Sequence, residues 1–362
     1  MLQGKFGLSL TLVGLLASVY TIGSSLSQLL FGYLGDRLSR WNFVALGPLL
    51  TGLFMSSIGL WPSYQPVLLA LLIAASGTAM FHPQAAARVG RWATGRRGLM
   101  LSFFSASGAL GFSLGPLLMA LFIAHFGFSR TYWAILPLIM VVSGLYPWMR
   151  RGSSAAAAPA VAARPEHRQL RPLLLLWGTV VVRHTVMLSF VTFLIILLVR
   201  QGLGYVVGSV VLSGFLAAGA VGGLLAGHLS DRLGRRLLIV IGLGLGFPLS
   251  FGFTVTTGPL SFALLILAGM ALQSSGPVIL AQAQEIAPAN TNTASAVVMG
   301  LGWGTAGLLV VGVGRLADYW GILPSLQLVC SLAFVIFLGL AYALYHEERF
   351  RAAQPSECSP KP

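Results

Sequence analysis

The chain has 362 residues, 56% of them hydrophobic and only 8% charged, with a mean hydropathy of +0.86. A soluble domain carries about a quarter charged residues, so a water-exposed globule is excluded. The net charge of +14 is compatible with nucleic-acid binding by magnitude alone, and the placement of the charges has to decide.

In chain order the sequence divides into apolar runs at 8–34, 41–60, 67–87, 99–123, 132–148, 173–199, 206–229, 237–255, 260–283, 293–313 and 323–345. Crossing a hydrocarbon core takes roughly 20 helical residues, so these runs predict eleven spans. Helix is the state that fits. Lipid offers no partner to exposed backbone groups, and the runs lack the alternation of a membrane barrel. The expected fold class is therefore an all-α polytopic membrane protein.

The basic residues follow alternate loops. Of 22 lysines and arginines, 17 fall after odd-numbered spans, in the 150–171 segment or in the tail, and Lys5, Arg130, Arg200 and Arg315 fall on the other side. This asymmetry is the positive-inside pattern, which makes the charge a topology signal and excludes a nucleic-acid footprint. It predicts a cytoplasmic C-terminus.

Between the first and second runs stands Gly32-Tyr-Leu-Gly-Asp36-Arg37-Leu-Ser-Arg40, and 195 residues later Gly227-His-Leu-Ser-Asp231-Arg232-Leu-Gly-Arg235-Arg236. A charged turn used twice at half-chain distance predicts two related bundles: residues 1–149, a tether at 150–171 rich in alanine and proline, a second bundle at 172–346 and a polar tail at 347–362 expected to lack structure. The offset pairs the first run with the second run of the later bundle. Five helices then stand against six, and the expectation is that an opening helix belongs ahead of the first run.

Arg183 lies about ten residues, roughly 15 Å, into its span. An arginine at that depth is a functional candidate by default, since no acid of this chain sits at comparable depth. It either faces a cavity as an anion anchor, or bonds to carbonyls or pairs with an acid of the expected opening helix. His184, beside it, either shuttles a proton or packs. His82 precedes Pro83, so it either lines a site or serves a carbonyl freed by the proline. Gln273 and Trp303 are candidates for cavity lining, with packing as the alternative. Glu285, at the end of its span, is a candidate for proton coupling, for gating or for a plain helix-end charge. Cys330 and Cys358 are too far apart in depth to bridge, and no metal-ligand or cofactor motif is present.

Phe81-His82-Pro83, Gly95-Arg96-Arg97-Gly98-Leu99, Ser113-Leu-Gly115-Pro116-Leu-Leu and Ala283-Gln-Glu285-Ile-Ala-Pro288, with Gly314-Arg-Leu-Ala-Asp318 after them, come in the order seen in fosmidomycin-resistance-type exporters. Together with the repeated Asp-Arg turn, the chain resembles the major facilitator superfamily over nearly its whole length. Residues 2–16 resemble the segment after the first helix of such proteins. Departures are Gln84, where an acid commonly stands, and Ser105 and Ala109, in place of Gln and Asn.

The resemblance implies a monomeric, bacterial inner-membrane secondary transporter that exports a small, anionic, drug-like compound in exchange for protons by alternating access. The alternatives are a facilitator for an organic anion or sugar and a remnant that transports nothing. It assigns Asp36, Arg37, Arg40, Asp231, Arg232 and Arg235 to a cytoplasmic gate, with a solvated, topology-setting turn as the alternative. It also implies a close helix contact at Gly108, Gly111 and Gly115 before Pro116, as in the glycine-proline motif of facilitator antiporters.

Overall fold

The computed structural model describes residues 2–37, 43–92, 97–151, 167–287, 294 and 296–353. Among them there is helix and no strand. The elements are α1 (Leu2–Phe6), α2 (Leu10–Arg37), α3 (Phe43–Ser56), α4 (Tyr64–Trp92), α5 (Arg97–Phe126), α6 (Ile135–Arg151), α7 (His167–Arg200), α8 (Tyr205–Leu233), α9 (Arg235–Val255), α10 (Gly258–Ile286), α11 (Gly302–Trp320) and α12 (Ile322–Ala353). Among the described residues eleven helical stretches are long and apolar enough to cross a membrane, as the runs predict.

Helices end where the sequence supplies a residue that tolerates a left-handed turn. Gly234 and Gly321 both have φ of 89°, and each donates its N–H to the carbonyl four residues back, Ser230 and Ala317, at 3.1 Å. Each therefore closes one helix and starts the next within a single residue. Three boundaries differ from expectation. Helix α7 begins at His167 and α6 runs to Arg151, so the segment between the bundles is shorter than 150–171. Helix α12 continues to Ala353, because good helix formers run on past Tyr345 with no proline before Pro355. Ahead of α11, residues Ala296–Leu301 form a turn of π-helix, a wider coil that run length alone cannot show.

Helices α2, α3, α4 and α6 pack on one another, and α7 to α12 form a second group. Within the first group, Thr51 Oγ1 donates to the Ala74 carbonyl at 2.9 Å, and the Tyr20 hydroxyl meets Thr78 Oγ1 at 2.8 Å. In the second, Phe190, Phe193, Phe215, Phe247 and Phe337 are fully buried in one continuous core. The 195-residue repeat extends to packing. Gly47 of α3 lies against α4 at Gly77, and Gly242 of α9 lies against α10 at Ala271 and Ser274. Two main contacts join the groups, α2 with α11 and α5 with α8.

On the face opposite the Asp-Arg turns, Lys5 Nζ donates to the Gly59 and Trp61 carbonyls, both at 2.9 Å, and lies 5.3 Å from the Phe128 ring centre. Thr131 Oγ1 accepts the Gly59 N–H at 3.1 Å. This end of the first group is thus tied by side chains to backbone groups that its loops would otherwise leave to water.

Candidate substrate site

Helix α7 carries the site. Its apolar stretch is 61% buried, and its neighbours include α10, α11 and α12. Arg183 points towards α10. Its Nη1 donates to Gln273 Oε1 at 2.6 Å, and Gly276 brings the α10 backbone beside the guanidinium: a Cβ there would stand 3.8 Å from Nη1. The residue is 4% exposed, and its Nε has no hydrogen-bond partner. Among the described residues no acid forms an ion pair with it. Among the described residues its one hydrogen-bond partner is the Gln273 amide oxygen.

His184 lies about 100° further round the helix and faces α11. Its ring stacks on Trp303 with centroids 5.3 Å apart and planes 13° from parallel. The π turn at Ala296–Leu301 ends one residue before α11 begins, so the change of coil sets the direction from which Trp303 approaches. His184 Nδ1 is buried without a partner, and so is Nε1 of Trp177. Trp177 lies seven residues before His184, on the same face of α7, near Gly302 of α11. Sequence reasoning does not single out Trp177. A signal exists in kind, an indole N–H within a span and so in need of an acceptor.

Arg183, Gln273, His184 and Trp303 are thus brought together. His82 is not among them: it stands edge-on to Phe104 of α5, centroids 6.4 Å apart, and no described contact joins it to Arg183. Glu285 accepts a hydrogen bond from Arg235 Nε at 3.1 Å, with side-chain exposures of 55% and 22%. Arg235 Nη1 also reaches Ser230 Oγ. This pair ties α9 to α10 inside the second group, not one group to the other. Arg232 is exposed. The side chains of Asp36, Arg37 and Asp231, and all of Arg40, lie outside the described residues.

The expected helix contact at Gly108, Gly111 and Gly115 is not found. Among the described residues nothing stands within 4 Å of where a Cβ would be at any of the three. Pro116 continues the same helix. Helix α5 meets α4 and α8 elsewhere on its surface, so spacing alone identifies a smooth face without saying what lies on it.

Over residues 1–311 the chain matches the Major Facilitator Superfamily. It is 27% identical to the fosmidomycin resistance protein of Escherichia coli (strain K12), over 97% of this chain and 88% of that protein. It is also 27% identical to an uncharacterized MFS-type transporter of Bacillus subtilis (strain 168), YfnC, with the same coverage. Among solved structures it is similar to a bacterial homolog of the human lysosomal transporter Spinster in an inward-facing and occupied conformation. The TM-score is 0.72 at 16% identity, covering 96% of this chain and 91% of that one. The unoccupied inward-facing form of that homolog gives 0.67. At such identity the likeness establishes the fold.

Proposed function

The chain belongs to the Major Facilitator Superfamily and is a multi-pass membrane transporter; on that premise we propose that it exports a small organic anion of the phosphonate type, coupled to protons, across a bacterial inner membrane, with its C-terminus in the cytoplasm. One observation carries the reading. Arg183 is buried in mid-span with an unpartnered Nε and, among the described residues, no carboxylate. Taking such a cation out of water is costly unless a counter-charge compensates it. An anionic substrate supplies that charge during each cycle.

The similarity to a fosmidomycin resistance protein is consistent in chemistry, since fosmidomycin is a phosphonate and its oxygens accept hydrogen bonds from a guanidinium in two-pronged fashion. The unpartnered nitrogens of His184 and Trp177 lie on the adjacent face of the same helix. They suit a ligand rich in acceptors. His184 is the titratable group beside the anchor, so it is assigned the proton that accompanies the anion, and Glu285 is assigned to its release near the face of the Asp-Arg turns.

The test is flux from proteoliposomes loaded with fosmidomycin, with and without an imposed pH gradient. Gradient-driven loss of the compound that Arg183→Gln abolishes supports the proposal. Flux that ignores the gradient reassigns the chain to the facilitators. Inactivity towards every anion tried, with correctly inserted protein, removes the anion reading.

A further inference from the structure

The motif Gly-x-Leu-x-Asp occurs a third time. Beside Gly32-Tyr-Leu-Gly-Asp36 and Gly227-His-Leu-Ser-Asp231 stands Gly314-Arg-Leu-Ala-Asp318. The last two match in backbone as well as sequence, since each aspartate precedes by three residues a helix-ending glycine with φ of 89°. The third copy closes α11, one span beyond α10, and so lies on the opposite face of the membrane from the other two.

There Asp318 grips the start of α2, 308 residues away in sequence. Its Oδ1 accepts the Leu10 N–H at 2.6 Å. Its Oδ2 accepts the Thr11 N–H at 2.8 Å and the Thr11 hydroxyl at 2.6 Å. The first four N–H groups of a helix are not all satisfied from within it. Ser9 Oγ takes the Leu12 N–H at 3.2 Å, the Ser9 carbonyl takes that of Val13 at 3.1 Å, and Asp318 takes the remaining two. A carboxylate also meets the positive end of the helix dipole.

Below this grip the two helices run together along small residues, and the seam widens with depth. A Cβ on Gly314 would collide with the Leu10 carbonyl, and one on Gly14 would stand 2.8 Å from the Val310 carbonyl oxygen. Ser18 Oγ donates to the Gly307 carbonyl. At Gly307 the nearest atom to a Cβ is Thr21 Cβ at 3.2 Å, and at Gly304 it is Ser25 Cβ at 3.7 Å. At Gly300, among the described residues, nothing lies within 4 Å. Over the described residues the seam between α2 and α11 is therefore tightest at Asp318 and loosens with depth as far as Gly304 and Ser25.

We propose that Asp318 and the N-terminus of α2 form a releasable latch that closes the transport path on the face opposite the Asp-Arg turns. The latch rests on the transport reading, because alternating access requires this seam to part in the other half of the cycle. Its bonds all cross between the two helix groups, so parting the groups breaks every one of them. Asp318 already lies exposed at the rim. Water therefore replaces the lost partners of the carboxylate and the two N–H groups as the latch opens, which makes the grip reversible.

The experiment uses the full chain with Cys330→Ala, Cys358→Ala and Ser25→Cys, in sealed right-side-out and inside-out vesicles. Ser25→Cys lies just past the tight part of the seam. A membrane-impermeant maleimide should label it from the face of the Asp-Arg turns only. Adding Asp318→Ala should raise labelling from the opposite face by about tenfold, and Asp318→Asn by less. Opposite-face labelling that stays at background in a folded Asp318→Ala protein overturns the latch. Because Asp318→Ala removes a cap and threatens folding, a second variant with Thr11→Cys and Asp318→Cys is oxidised instead. Opposite-face labelling then stays at background and transport stops, with transport recovering on reduction; transport that continues through the oxidised pair also overturns the proposal. Labelling needs no substrate, so a latch that responds in a protein that moves no anion supports the latch and removes only the anion reading.

Discussion

The two helix groups repeat one turn and one packing contact at a spacing of 195 residues, yet they are filled differently. The apolar stretch of α7 is 61% buried and that of α10 39%, while those of α5 and α6 are 11% buried each. The second group has a continuous aromatic core. The first has a small cluster around Leu8, Leu16, Val67 and Leu71. Sequence hydropathy does not distinguish α5 from α10, and the physical reason is that lipid tails are as apolar as leucine. Burial between helices in a membrane arises from close packing and hydrogen bonds, not from escape from water.

The sharpest way to break the comparison is to fill glycines on either side of it. Gly222 of α8 has the Met270 carbonyl of α10 where a Cβ would be, and Gly111 of α5 has nothing within 4 Å among the described residues. Gly222→Val is expected to destabilise the protein by about 3 kcal/mol or more, the upper end for overpacking. Gly111→Val is expected to change stability by less than about 0.5 kcal/mol. Thermal unfolding in detergent checks both. A loss at Gly111 as large as at Gly222 would mean that the smooth face of α5 is packed in the functioning protein.

Next in size is Arg183, where the well-packed group holds a charge that its packing does not compensate. Arg183→Met is expected to abolish gradient-driven anion export while leaving the melting temperature unchanged or higher, since a charge buried without a counter-charge carries a desolvation cost that an apolar side chain does not. Gln273→Leu removes the amide oxygen that Arg183 Nη1 reaches and should destabilise by about 1–3 kcal/mol, the penalty for an orphaned buried donor. Restoring stability by combining the two changes would show that the penalty belongs to the guanidinium.

The parts of the molecule legible in the sequence reflect the same forces. Span number, the repeated turn and the depth of Arg183 depend on length and charge, and those are local. The partners of Arg183 and His184 depend on which faces α7 presents to α10 and α11. Gln273 and Trp303 are visible as residue types capable of lining a site, but the 13° stack of Trp303 on His184 depends on the π turn before α11, which no periodicity announces. The grip of Asp318 on Leu10 and Thr11 is illegible for a different reason. It joins positions 308 and 307 residues apart, and its motif reads like the turns on the other face. Glycine spacing at Gly108, Gly111 and Gly115 is legible as a face and silent on its neighbour.

The smallest expected effect concerns Glu285, and it separates two uses of charge. Its pairing with Arg235 is contained within the second group and, on the glutamate side, about half exposed to solvent. Such pairs contribute about 0–1 kcal/mol, because water already screens both partners. Glu285→Gln should therefore leave the melting temperature within a degree or two of the parent, on the order of 0.5 kcal/mol. Transport carries the information. If Glu285 only ties α9 to α10, export and its dependence on the pH gradient both survive. If it releases the proton that travels with the anion, the substituted protein still exchanges anion for anion but no longer converts a pH gradient into net export. Exchange without gradient-driven flux, in a protein of unchanged stability, would place the coupling at this surface and leave Arg183 with the anion alone.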